Sequence, residues 1–142
     1  MERILGDRLV GPAGNVATVS ITNIKFKLLL FAASWCPPCR GLVPNLRELY
    51  QQANQGGKQL EIVWVSKDRN LDEFNTMKTD MPWLSVPFEP AAITKLTEHY
   101  EIQGLPKLLL IDEGGVVVHD DCRANVLEKG IACLADWEEL LD

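Results

Sequence analysis

The stretch FKLLLFAASWCPPCR, residues 26–40, decides the fold. Its first part, FKLLLFAAS (26–34), is a continuous apolar run of the kind expected of a strand buried on both faces. It leads straight into two cysteines separated by two prolines. From Pro37 the period changes: Leu42, Leu46, Leu49 and Tyr50 recur at three and four, and Gly56-Gly57 mark the end of a helix. A buried strand feeding the first turn of a helix places Cys36 and Cys39 just past the C-terminal end of a central strand, where the sites of α/β sheets gather. Pro44, inside that helix, lacks the N–H that would bond back one turn and is expected to kink it.

Working outward, LEIVWVS (60–66) reads as a second buried strand. Strand, helix and strand together imply a parallel pair with a right-handed crossover. NLDEFNTM (70–77) reads as a short helix, with Asn70 as N-cap and Glu73 at the capping-box position. MPWLSVPFEP (81–90), with three prolines, reads as a loop, and AAITKLTEHY (91–100) as a helix. Gly104 and Pro106 precede a strand, KLLLID, which EGG and VVVH extend into a hairpin. The tail IACLADWEELLD (131–142) reads as one amphipathic helix with Ile131, Leu134, Trp137 and Leu140 or Leu141 on its apolar face. The sum is an α/β fold with a central mixed sheet flanked by helices.

A chain of 142 residues, 46% hydrophobic, reads as one domain with a real core and has no stretch long enough to span a bilayer. The net charge of -6 and the absence of a basic run argue against nucleic-acid binding. An acidic surface fits basic or neutral protein partners, and a monomer is expected. The N-terminus MERILGDRLVG is charged throughout and lacks the apolar core of a secretory signal, which points to the cytosol, with nuclear residence also open. Thiols there are kept reduced, so a close pair such as Cys36 and Cys39 is catalytic or metal-binding before it is structural.

Cysteines at i and i+3 in a first helical turn can close a disulfide and reopen it. Cys36 precedes the helix, so unpaired N–H groups and the positive end of the dipole favour its thiolate, making it the expected nucleophile. Cys39, one turn in, is expected to be buried, protonated and resolving. Pro37 and Pro38 fall where N–H groups have no helical partner to lose, so they brace the link at little cost. They also leave only the N–H groups of Cys39 and Arg40 to face the Cys36 sulfur, and Pro38→Gly is expected to favour the thiolate further. The competing reading, half of a zinc site, needs four ligands, and neither Cys122 and Cys133 nor His99 and His119 have the spacing to complete one. No metal is expected, and no cofactor: GPAGNVA (11–17) lacks the helix and distant acid of a dinucleotide fingerprint.

With these residues in view, the chain resembles the thioredoxin superfamily. FAASWCPPCRGLVPNL, EIVWVSKDRNLDEF, MPWLSVPF and YEIQGLPKLLLID, across about residues 26–112, are similar to the nucleoredoxin and tryparedoxin branch. The segment 1–24 is compatible with that branch's extra hairpin ahead of a core over 25–142. The resemblance implies a cis Leu105–Pro106 peptide facing the cysteines, where an extended substrate segment would pair with the backbone. Trp35, at the strand-to-helix mouth, is expected to contact substrate, whereas Trp64, Trp137 and Trp83 are expected to pack. Many thioredoxins carry a buried acid where Leu30 stands here, so Asp68 is a possible proton acceptor for Cys39, with helix capping as its alternative role. Lys67 departs from the tryparedoxin tryptophan. Lys107, where a threonine is usual, adds positive charge that would suit an acidic partner, and Arg40 and Arg123 are possible auxiliaries. Cys122 and Cys133 read as ordinary thiols. The resemblance implies a thiol-disulfide oxidoreductase acting on protein disulfides and recharged by a separate dithiol or small thiol. The alternative is a redox-gated binding module acting on a signalling partner.

Overall fold

A computed structural model describes all 142 residues. Seven strands form one mixed sheet: β1 (Arg8–Gly11), β2 (Gly14–Ala17), β3 (Phe26–Ala32), β4 (Leu60–Ser66), β5 (Leu84–Ser85), β6 (Lys107–Ile111) and β7 (Val117–His119). Their order across the sheet is β2-β1-β5-β4-β3-β6-β7. β3 pairs in parallel with β4 from Phe26↔Leu60 to Ala32↔Ser66, and antiparallel with β6 from Lys27↔Ile111 to Phe31↔Lys107. Every residue of β3 and β4 is buried, as two covered faces demand.

Side-chain alternation sorts these strands into two cores. Leu28, Leu30, Ile62, Trp64, Leu108 and Leu110 face one side, beneath α2 (Pro37–Ala53), α3 (Leu71–Lys78), α5 (Cys122–Lys129) and α6 (Cys133–Leu141). Leu29, Phe31, Val63, Val65, Leu109 and Ile111 face the other, against α1 (Glu2–Leu5), α4 (Pro90–His99) and the N-terminal hairpin. Trp64, Trp83 and Trp137 are all fully buried. The Trp64 ring stacks on Phe74 at 5.0 Å, and its indole N–H donates to the Ala32 carbonyl. α2 continues through Pro44 to Ala53, and Asn70 caps α3 by accepting from the Glu73 N–H. No helix is long and apolar enough to cross a membrane.

Two parts depart from the sequence expectations. The segment 81–90 is not only loop: Leu84–Ser85 form β5, which pairs in parallel with β4 and antiparallel with β1, and so ties the hairpin β1–β2 into the sheet. Two residues are too few to show a strand period. The tail is not one helix from Ile131. α5 ends at Gly130, where φ is +55, a 3-10 turn follows, and α6 begins at Cys133. Ile131 is therefore exposed, and Cys133 with Trp137 supplies the buried face, joined by Leu134 and Leu141 at its margin.

Candidate active site

β3 ends at Ala32, and the chain turns through Ala33, Ser34 and Trp35 into α2, with Cys36 as the residue before its first turn. The turn is built by side chains at the ends of two strands. Asp68, just beyond β4, accepts from both the Ser34 N–H and the Ser34 hydroxyl through Oδ1, each at 2.7 Å, and from the Ser66 hydroxyl through Oδ2 at 2.9 Å. The Asp68 N–H in turn donates to Ser66 Oγ. Asp68 does not cap the following helix, since Asn70 does that. Its buried carboxylate braces the corner that carries Trp35 and Cys36, with three hydrogen bonds accepted and one Oδ2 acceptor position unused.

Trp35 is 44% exposed and precedes a Cys36 that is 7% exposed, so an open aromatic ring adjoins the thiol in the chain. Its indole N–H donates to the Lys67 carbonyl at 3.0 Å, and the Arg69 guanidinium lies 5.5 Å from the ring centre. An exposed tryptophan anchored in this way is a rigid apolar plate.

Cys36 and Cys39 are both free thiols, and Cys39 is the deeper, at 1% exposure. Burial, reinforced by a hydrogen bond with the Cys36 side chain, pushes the Cys39 thiol up to about 12. The Ala33 N–H and the positive charge of Arg123, in the first turn of α5, pull the other way and are outweighed. The two cysteines thus differ in depth, as thiol exchange in two steps requires. The expectation for the amides fails, however. The N–H groups of Cys39 and Arg40 both donate to the Cys36 carbonyl, at 3.1 and 3.2 Å, so they close the first helical turn and do not point at the sulfur. The amide count behind the expected effect of Pro38→Gly does not hold.

The Leu105–Pro106 peptide is cis. The β3–β6 register ends at Phe31↔Lys107, so the next step sets Pro106 alongside Ala32, at the sheet edge from which the cysteine corner leaves. A groove of about 400 Å³ runs past Gly104, Leu105, Pro106 and Lys107. Arg40 is exposed and lines a separate groove with Ser34. Cys122 and Cys133 lie fully buried on the α5–α6 side, where burial pushes them up to about 12 and about 11. They are core thiols in this state.

Sequence reasoning missed Ser34, Ser66 and Arg69. The available signal was a polar residue, Ser66, closing a buried strand directly after the apolar run Ile62–Val65 and two positions before an aspartate. Such a group must find a hydrogen-bond partner.

A parallel β3–α2–β4 unit with a dithiol at the helix start and a cis-proline on the neighbouring strand defines a thioredoxin-fold protein. The thioredoxin-like family pattern matches residues 23–117, and the chain belongs to that family, in its nucleoredoxin and tryparedoxin branch. It is 42% identical to nucleoredoxin of Bos taurus over 98 residues, covering 68% of this chain and 22% of that protein. It is 34% identical to tryparedoxin of Trypanosoma brucei brucei over 131 residues, covering 91% of this chain and 90% of that one. A solved tryparedoxin from Trypanosoma brucei superposes with a TM-score of 0.84 at 31% identity, covering 95% of each chain. A tryparedoxin II solved in complex with glutathionylspermidine superposes at 0.79 with 25% identity, covering 89% of this chain and 88% of that one. The chain therefore spans about a fifth of the length of the nucleoredoxin and nearly all of the tryparedoxin.

Proposed function

We propose that the protein is a thiol-disulfide oxidoreductase that reduces protein disulfides through Cys36 and Cys39. The observation that carries this reading is the pairing of two free thiols of unequal depth directly after an exposed, anchored tryptophan. The Cys36 thiolate attacks one sulfur of the substrate disulfide; that S–S bond breaks, and the departing sulfur takes a proton. Cys39 then gives up its proton and attacks the Cys36 sulfur of the mixed disulfide. The Cys36–Cys39 disulfide forms and the second substrate thiol leaves, so the substrate gains the two electrons that the dithiol loses. A separate donor, a dithiol or two equivalents of a small thiol, returns them. The tryparedoxin complex with glutathionylspermidine supports a low-molecular-mass thiol in that role.

Within this scheme Trp35 and the cis Leu105–Pro106 edge receive the substrate segment, Pro37 and Pro38 brace the dithiol, Asp68 holds the corner, and Arg123 assists Cys39. The test is turnover of a protein disulfide with a dithiol donor, followed by a single-turnover measurement. Cys36→Ser should abolish both. Cys39→Ser should abolish steady turnover yet still release one thiol per chain in the first turnover. Full turnover by Cys36→Ser would overturn the proposal.

A further inference from the structure

The groove on the α2–α3 side of the cysteine corner has a chemistry that the exchange reaction does not use. Its volume is about 400 Å³; it begins at Ser34, and Val43, Pro44 and Met77 give it an apolar floor. Arg40 and Arg47 both line it. In a chain of net charge -6, arginines would be expected to find carboxylates, yet the four ion pairs of the molecule lie elsewhere and include neither. The acid beside them, Asp80, accepts from Arg47 Nη1 through its backbone oxygen at 3.3 Å. Neither guanidinium is ion-paired, and with Asp80 as its one acid the groove keeps an excess of positive charge next to the residue that leads into Trp35 and Cys36.

Spacing narrows what would fit. Seven residues of α-helix rise about 10.5 Å, which keeps Arg40 and Arg47 on one face two turns apart. Polyproline II chain has three residues per turn and rises about 3.1 Å per residue, so side chains three apart lie about 9 Å from each other on the same side. We propose that this groove docks an acidic segment of a protein partner in polyproline II conformation, whose two carboxylates, three residues apart, meet Arg40 and Arg47. The attacked disulfide then lies at the Ser34 end, a placement that rests on Cys36 being the nucleophile. Local charge thus reverses the preference for basic or neutral partners that the overall charge implied, because fields beyond about 8 Å are screened at physiological salt while contacts in the groove are not.

The test uses short synthetic peptides carrying Glu-x-x-Glu on either side of a Ser that replaces the substrate cysteine, beside Gln-x-x-Gln and Lys-x-x-Lys versions. Binding to the full chain is measured by calorimetry, so it needs no redox step. One Glu peptide should bind about tenfold tighter than its Gln version, the advantage falling with salt and vanishing in the Arg40→Gln/Arg47→Gln variant. Arg40→Glu/Arg47→Glu, which keeps the fold's surface polar, should transfer preference to the Lys peptide. Equal binding of Glu and Gln peptides, or an undiminished advantage in the double variant, would overturn the proposal. Cysteine-containing versions of the Gln peptide, joined to a neutral thiol, read the exchange reaction separately: their failure to be reduced strikes at the oxidoreductase reading, whereas the binding result stands on its own.

Discussion

In the free dithiol Cys39 is held near 12, chiefly by burial, and on the proposed mechanism it must shed its proton to release substrate from Cys36. The positive charge of Arg123 draws the Cys39 pKa down, and on that mechanism it would ease the step. Arg123→Gln should therefore slow release of the mixed disulfide while leaving the initial attack by Cys36 unchanged. Each unit by which the Cys39 pKa rises cuts its thiolate fraction about tenfold. Rapid-mixing kinetics that resolve the two steps would check this, and an equal slowing of both would contradict it. Asp68 calls for a different comparison, because its oxygens already serve Ser34 and Ser66. Asp68→Asn keeps an oxygen for the Ser34 N–H, so the pH profile of release should stay in place. Asp68→Ala strands that N–H and should lower stability by about 1–3 kcal/mol in urea unfolding. A pH profile displaced in Asp68→Asn would instead identify the carboxylate as the proton acceptor.

At the level of elements, what was legible followed from local pattern. β3, β4 and β6 announced themselves as apolar runs, and α3 by its cap. Glu73 Oε1 accepts from the Arg69 N–H while Asn70 Oδ1 accepts from the Glu73 N–H, a capping-box-like arrangement written in five consecutive residues. Asn70→Ala should cost about 1 kcal/mol, measured by chemical unfolding, and a change near zero would show that α3 is held by Phe74 and Met77 packing alone. What was not legible depended on partners distant in sequence. β5 is a strand only because β4 and β1 flank it, and the break at Gly130 comes from a positive φ that glycine allows but does not require. The candidate site divides in the same way. The dithiol is read from its spacing, whereas the Ser34–Asp68–Ser66 clamp joins residues more than thirty positions apart, and the destination of the Cys39 and Arg40 amides follows from where the Cys36 carbonyl points.

Across the whole molecule, three reduced cysteines make stability depend on alkaline pH. Cys39 and Cys122 are held near 12 and Cys133 near 11, each raised by burial from an ordinary value of 9.0. Below about 9 all are protonated in both folded and unfolded chains and contribute no dependence. Between 9 and 12 the unfolded chain loses protons that the folded chain keeps, so it becomes relatively more favourable and stability falls as pH rises. Unfolding midpoints of the reduced protein should decline through that window, and the decline should be shallower in Cys122→Ala/Cys133→Ala. An unchanged slope would show that those thiols do not set it.

The central claim is that Cys36 alone makes the first covalent bond to substrate and that Cys39 breaks it. Intact-mass and peptide-level mass spectrometry of Cys39→Ser, after exposure to a disulfide-linked peptide, tests this most directly. The account predicts one peptide adduct per chain, located on Cys36 and removed by a dithiol. An adduct on Cys122 or Cys133, or none at all, would contradict it.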